Sequence, residues 1–91
     1  MAETRGALYT NITADTLIKT GNGKVYGIVV NSHTSGTIKL WDNTSAATTV
    51  ICNTYTFPSG SQVITFPEPI NFNTGLYADI GGTVDITVIW N

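Results

Sequence analysis

Apolar and polar residues alternate at every second position near the end of the chain. Residues 83–90 place four apolar side chains on one face of an extended backbone and Thr83, Asp85 and Thr87 on the other. This two-residue period predicts a half-buried β-strand. Gly81 and Gly82 come directly before it and predict a tight hairpin from a strand over residues 76–80. The apolar positions of the last strand are Val84, Ile86, Val88 and Trp90.

Similar short runs recur along the rest of the chain, separated by turn-forming residues. Residues 21–23, 32–36 and 57–61 are rich in Gly, Asn and Ser and predict turns. The Pro-Glu-Pro sequence at residues 67–69 predicts an extended edge segment outside the hydrogen-bond ladder, because proline has no N–H to donate. The strands predicted before residue 83 span residues 7–10, 16–20, 24–31, 37–42, 48–56, 62–66 and 76–80.

The strand predicted over residues 24–31 is apolar on both faces. Strict alternation would place Tyr26, Ile28 and Val30 on one face and Val25 and Val29 on the other. A strand of this kind is typical of the centre of a sheet that is covered on both sides. We therefore expect its second face to be covered by a loop or by a neighbouring subunit.

The whole pattern predicts an all-β fold. Sustained three-four spacing of apolar residues, which would indicate a helix, does not occur. About eight short antiparallel strands without helices predict a single β-sandwich that resembles a jelly roll. The sandwich domain is expected to span residues 7–91. Residues 1–6 are expected to form an N-terminal arm, which either lies across a neighbouring subunit or is a frayed terminus.

Composition adds an expectation about the surface. Only 11% of the residues are charged, against about 25% in an average globular protein. Uncharged polar residues such as Thr and Asn replace them. A surface of this kind costs little to desolvate and suits contact with another protein. The alternative is an ordinary solvated β-surface rich in threonine.

Charge and hydropathy exclude two classes of partner. The net charge is −2, and Arg5, Lys19, Lys24 and Lys39 are scattered along the chain. Binding a phosphate backbone requires clustered cations, so we expect no nucleic-acid partner. No apolar stretch reaches the length of a membrane span, and the first six residues lack the apolar core of a signal peptide. We expect a protein that is made in a cytosol and stays soluble.

The chemically reactive residues do not form a recognisable catalytic or metal-binding motif. Asp79 and Asp85 would face each other across the predicted hairpin, but two carboxylates supply too few oxygens for calcium. Ser32, His33 and Asp42 lack the nucleophile elbow that accompanies a hydrolase triad. We therefore expect no enzyme activity, no metal and no cofactor. The single cysteine, Cys52, lies in an apolar run and is expected to be a buried small hydrophobe.

Two aromatic residues are the candidate interface positions. Trp41 shares the outward face of its predicted strand with Lys39, so it is either an interface anchor or packed under the next loop. Tyr26 is the second candidate, on the strand with two apolar faces. Sugar binding on exposed aromatic side chains is the alternative use of such residues. The aromatic candidates for a sugar platform are Tyr9, Tyr26, Trp41, Tyr55 and Tyr77.

Three stretches resemble small virion proteins of tailed bacteriophages. Residues 24–44 contain an apolar strand that ends in Val-Asn, a Ser/Thr/Gly turn and then Gly-Thr-Ile-Lys-Leu-Trp-Asp. Residues 64–72 and 75–90 are similar to the middle and the end of the same proteins, so the resemblance covers roughly residues 16–91.

The resemblance implies a capsid decoration protein, also called a cement protein. Such proteins sit on the capsid exterior of the virion, often as homotrimers, and clamp neighbouring copies of the major capsid protein. They have no catalytic residues. The alternatives are a glycan- or receptor-binding module of a head or tail fibre and a structural joint elsewhere in the virion, such as the baseplate or neck.

Overall fold

A computed structural model describes residues 7–91, and these residues fold as antiparallel β-structure without a helix. The all-β prediction is therefore confirmed. The predicted arm at residues 1–6 lies outside the described residues. The strands are β1 (Leu8–Ile12), β2 (Thr16–Thr20), β3 (Gly23–Trp41), β4 (Val50–Thr56), β5 (Gln62–Phe72) and β6 (Gly75–Trp90).

The structure has six strands where about eight were predicted, because two predicted turns are absent. The chain does not turn back at residues 32–36, and no hairpin forms at Gly81 and Gly82; β3 and β6 run through these positions. The turn-forming residues are absorbed as irregularities of one ladder, whose register shifts between Val30 and Ser32 and again between Thr34 and Thr37. A bulge of this kind keeps most backbone groups hydrogen-bonded while the strand bends.

The proline segment behaves as predicted, although it does not end its strand. Pro67 and Pro69 lie inside β5. The ladder between β5 and β3 skips from Thr65 to Ile70, so the intervening residues take no part in it. The missing N–H groups of proline therefore cost no ladder hydrogen bond.

β3 and β6 form a long antiparallel ribbon at the centre of the molecule. Their register runs from Val25 opposite Trp90 to Trp41 opposite Tyr77. β4 and β5 both pair with the free side of β3, and β1 and β2 both pair with the free side of β6. These two sides of the ribbon are named here the β4–β5 flank and the β1–β2 flank.

Each half of the ribbon belongs to a group of four strand segments. In the first group the order is β5, the start of β3, the end of β6, and β1. In the second group the order is β4, the end of β3, the start of β6, and β2. Successive segments along the chain therefore alternate between the groups, except where the end of β3 leads into β4.

The two groups share one hydrophobic core. Val30 and Ile86 from the first group and Leu40 and Leu76 from the second are all at most 1% exposed and belong to one cluster. A straight strand of 19 residues would be about 60 Å long, whereas the longest dimension of the molecule is 44 Å. The ribbon therefore bends, and the bend brings both groups to the same core. The other buried members of this core are Ile12, Val25, Ile28, Ile38, Phe57, Phe72, Ala78, Val84 and Val88.

One predicted face assignment is wrong. Val25 is fully buried together with Ile28 and Val30, whereas Tyr26 is only half-buried. The register of β3 shifts between Val25 and Gly27 against both neighbouring strands. The extra residue at this bulge changes which face Tyr26 points to, and strict alternation does not foresee such a change.

Asp42 joins the end of β3 to the turn between β5 and β6. Its Oδ1 accepts hydrogen bonds from the backbone N–H groups of Thr74 at 2.8 Å, Asn73 at 3.0 Å and Gly75 at 3.3 Å. Burial by itself would raise the pKa of this carboxyl, but the three N–H donors outweigh it and hold the pKa below its ordinary value. The ionised form therefore stabilises the fold.

We expect Asp42→Asn to lower the free energy of unfolding at pH 7 by about 1–2 kcal/mol, because the amide keeps one acceptor but loses the charge. The folded-state pKa lies below the unfolded value of about 3.9, so this stabilisation is present above that pH. It is lost as the pH falls through the folded-state pKa. Urea denaturation at pH 7 and at progressively lower pH measures both effects. A difference between wild type and variant that stays constant down to the lowest pH would contradict this account.

Candidate interaction surfaces

Trp41 lies in an apolar row on the outer face of the second strand group. Val50 of β4 is opposite Trp41, Trp41 is opposite Tyr77 of β6, and Tyr77 is opposite Leu17 of β2. Residues directly opposite in a sheet point to the same face. The four side chains therefore form a continuous row from one edge of the group to the other. We call it the Trp41 row.

The surroundings of Trp41 are those of a half-buried outward residue. Its neighbour Leu40 is fully buried, and Lys39 shares its outward face, as predicted. The Lys39 Nζ lies 4.3 Å from the centre of the indole ring, a cation–π contact. The indole Nε1 is shielded from solvent and has no hydrogen-bond partner among the described residues. A buried N–H group without a partner costs the fold its desolvation free energy.

Tyr26 lies at the other end of β3 and separates two shallow clefts. One cleft has a volume of about 330 Å³ and is lined by Lys19, Asn22, Gly23, Lys24, Tyr26 and Asn91. The other, of about 160 Å³, is apolar and lies between Tyr26, Val63 and Ile89. The two predicted interface residues are therefore placed in different strand groups, and the structure does not bring them together in one patch.

A polar cluster that sequence reasoning missed lies on the outer face of the first group. The Asn11 Nδ2 donates to Asp85 Oδ1 at 2.8 Å and contacts Thr87 Oγ1 at 3.2 Å. The amide of Asn31 approaches the same two acceptors at 3.4 Å. Tyr9, which is 74% exposed, lies two residues before Asn11 on the same face of β1. Only the pairing of β1 with β6 reveals this cluster, because its members are far apart in sequence.

His33 has a structural role at the bend of the ribbon. Its Nδ1 accepts a hydrogen bond from the Gly36 N–H at 3.1 Å, so the proton is on Nε2, which donates to the Pro58 carbonyl at 2.6 Å. The ring also makes an edge contact with Phe57 at 5.4 Å. Asp42 binds the β5–β6 turn instead of His33. Ser32, His33 and Asp42 therefore do not form a triad.

The acidic residues do not meet in the way a hairpin would require. Asp79 is opposite Lys39 and Asp85 is opposite Ser32, both across the ribbon. In the described part of the chain, no three His, Cys, Asp or Glu side chains are grouped in a way that suits a metal ion. Cys52 is half-buried and packs against the core. Residues 7–91 contain no helix that is long and apolar enough to cross a membrane.

Within residues 7–91, the large apolar side chains that remain exposed are confined to the edges of the sheet. None of them belongs to β3 or β6. Three lie on the β4–β5 flank and three on the β1–β2 flank. Periodicity did not identify this distribution, because only the pairing shows which strands are edges. The exposed residues are Val50, Tyr55 and Val63 on the first flank and Leu8, Tyr9 and Leu17 on the second.

Comparisons with protein-family models, with curated proteins and with solved structures found no match to this chain.

Proposed function

We propose that this chain is a non-enzymatic decoration or cement protein on the capsid exterior of a tailed bacteriophage, where it binds the major capsid protein as a homotrimer. The proposal begins from the resemblance of residues 24–44, 64–72 and 75–90 to phage virion proteins. The observation that carries it further is the Trp41 row, an apolar row on an outer face of a charge-poor protein.

We also propose that the two strand groups are the two sheets of a jelly-roll sandwich. The segment order within each group and the single core support this description. In a jelly roll of eight segments, chain connections pass between two four-stranded sheets, and the described pairings fit that plan. Viral capsid and lectin domains both use this architecture, so the fold is compatible with cementing and with glycan binding alike.

The Trp41 row has the composition of an interface core. Tryptophan and tyrosine are enriched among residues that dominate binding energy, and charged residues are depleted there. Lys39 flanks the row, lies over the indole ring and is opposite Asp79, so this cation is not isolated when the row is covered.

Cementing follows from mass action. A protein that binds only the assembled lattice stabilises it by RT ln(1 + [L]/Kd), without any chemical step. A trimer offers three contact sites, and the second and third contacts form intramolecularly once the first is made. Binding across joints between capsid proteins then opposes the outward pressure on the shell.

Stoichiometry and heat stability of virions test the proposal. A cement protein is expected in many copies per particle, in proportion to the major capsid protein, whereas a fibre tip or neck component is present in few. Quantitative densitometry of purified virions measures this ratio. Particles assembled without the protein are expected to release DNA at a lower temperature. A low copy number, or an unchanged release temperature, contradicts cementing.

We expect Trp41→Ala to weaken binding to capsids that lack the protein by roughly 30-fold or more, the loss typical of a hot-spot tryptophan. Trp41→Phe keeps an aromatic ring in the row and should lose less. Trp90→Phe is the matched control, because it removes an indole that donates internally to Thr10 at 2.9 Å. Cosedimentation with capsids measures affinity, and thermal melting verifies that each variant is folded. Equal losses for Trp41→Ala and Trp90→Phe would argue against the Trp41 row as the docking face.

One observation favours the second candidate, a glycan- or receptor-binding module of a head or tail fibre. Exposed Tyr9 stands beside the hydrogen-bonding groups of Asn11 and Asp85. An aromatic face next to amide and carboxylate groups is a common arrangement for binding a sugar ring. Binding of the isolated protein to a glycan array, lost in Tyr9→Ala, would decide for this function. An array without signal would favour cementing.

A further inference from the structure

The two flanks differ in charge, and the β4–β5 flank carries none over most of its length. The sequence contains no Asp, Glu, Lys, Arg or His from Asn43 to Pro67. This stretch includes all of β4 and the half of β5 that pairs with Val29 and Val30. An uncharged flank with exposed Val50, Tyr55 and Val63 can be covered by another protein without burying an ion.

The charges on the opposite flank are directed toward their own molecule. Asp15 Oδ1 accepts a hydrogen bond from the backbone N–H of Ile80 at 2.6 Å. Lys19 Nζ lies 5.8 Å from the centre of the Trp90 ring. The large apolar side chains exposed on this flank are Leu8, Tyr9 and Leu17, and they lie among exposed polar residues such as Asn11 and Thr20. Both flanks therefore present large apolar side chains, and the charged groups of Asp15 and Lys19 already contact their own molecule.

Each flank also contains an edge strand without the usual protection. Edge strands are normally shielded from other chains by charged residues or prolines. β5 has two prolines and Glu68, and β2 has Lys19. β4 and β1 have no charged residue and no proline. Their outward backbone groups remain available to a neighbouring protein.

We propose that the β4–β5 flank of one copy docks on the β1–β2 flank of the next copy, so that identical chains close into a ring. This inference rests on the homotrimer that belongs to the proposed function, and it assigns the surfaces that build it. A head-to-tail contact between two different surfaces generates a closed ring when the rotation between copies is suitable.

The distribution of exposed apolar residues favours this arrangement over a twofold dimer. A twofold contact joins one flank to the same flank of a partner and leaves the other flank of both copies exposed. A ring covers both flanks of every copy, including Val50 and Leu17 at the two ends of the Trp41 row, and leaves Trp41 and Tyr77 at its centre for the capsid. A standard interface takes about 800 Å² from each partner, about one sixth of the 5148 Å² surface of this chain.

A pair of lysine variants tests the contact. Val63→Lys places a charge on the β4–β5 flank, and Tyr9→Lys places one on the β1–β2 flank. Val63 and Tyr9 are 69% and 74% exposed, so neither change should unfold the protein. Thr83→Lys adds the same charge at an exposed position of the central ribbon and is the matched control. Analytical ultracentrifugation and native mass spectrometry give the oligomeric state, and thermal melting gives the folded state.

Wild type and Thr83→Lys are expected to be rings, and each flank variant alone is expected to be monomeric. A mixture of the two flank variants should form a heterodimer, since each supplies the flank that the other lacks, and the dimer cannot grow further. A monomeric wild type overturns the inference. Loss of association in only one of the two variants also overturns it, because that result indicates a twofold contact. A mixture that stays monomeric overturns it as well.

Two further measurements test the ring independently of the proposed cementing function. If a lysine variant melts at a much lower temperature, Val63→Ser and Tyr9→Ser replace the pair with smaller changes and the same expected pattern. Cosedimentation with capsids then separates the two ideas. A monomeric wild type that still binds capsids contradicts the ring and leaves cementing intact. A ring that does not bind capsids supports the ring and contradicts cementing.

Discussion

Replacing Gly82 by alanine is expected to lower the free energy of unfolding by about 3 kcal/mol or more. Gly82 has a φ of 73°, a conformation that costs an alanine about 1–2 kcal/mol. A Cβ at this position would also collide with the carbonyl oxygen of Ser35 and lie 2.8 Å from that of Thr34. Both oxygens belong to β3, which is held by its own ladder and cannot move aside cheaply. Crowding of this kind typically adds about 1–3 kcal/mol.

Gly60→Ala is the matched control for this prediction. Gly60 has a φ of 91°, but nothing lies within 4 Å of the position that its Cβ would take. Its substitution therefore carries only the conformational cost of about 1–2 kcal/mol. Chemical denaturation of both variants isolates the contribution of the close approach at the bend. Equal losses in the two variants would show that the contact between Gly82 and β3 has no energetic role.

Truncation of Leu40 to alanine is expected to lower the free energy of unfolding by about 2–5 kcal/mol. Leu40 is fully buried in the core that both strand groups share. Removing three buried carbons loses their transfer free energy and leaves a cavity that the surrounding ladder prevents from closing. Leu17→Ala is the matched control, because Leu17 is 40% exposed. The same truncation there should cost less than about 1 kcal/mol.

The two tryptophans allow a sharper form of the same experiment. Trp41 belongs to the second strand group and Trp90 to the first. Trp90→Phe and Trp41→Phe each leave one fluorescent reporter, and Leu40→Ala is then added to both backgrounds. If the two strand groups share one core, they unfold together. Leu40→Ala should then lower the free energy of unfolding by the same amount whether Trp41 or Trp90 reports it. A shift confined to the Trp41 reporter would mean that the groups unfold independently.

Local sequence patterns identified most strands but misplaced two chain reversals. Alternation located the strands around Ile38 and Ile86, because burial of one face requires it whatever the neighbours are. The turn signals at residues 32–36 and at Gly81 and Gly82 are compatible both with a reversal and with a bulge inside a bent strand. Whether the chain reverses or bulges depends on whether β3 pairs with β6 along its whole length. No local pattern contains that information.

For the candidate interface residues too, local spacing predicted one feature and strand pairing decided the others. That Trp41 points outward with Lys39 followed from their spacing, and the structure places both on one outer face. The position of Tyr26 did not follow, because a single bulge reverses the alternation. Val50 and Leu17 join the Trp41 row only through pairing across four strands.

The sequence by itself determined that the protein is charge-poor and that residues 7–91 form antiparallel strands without a helix, because side-chain periodicity and composition act residue by residue. Tertiary structure alone decided that β3 and β6 form one bent ribbon, and hence which strands are edges and which apolar side chains stay exposed. Those properties depend on pairing between residues that are far apart in the chain. The free energy of such pairing comes from ladders and a core that exist only once the chain has folded.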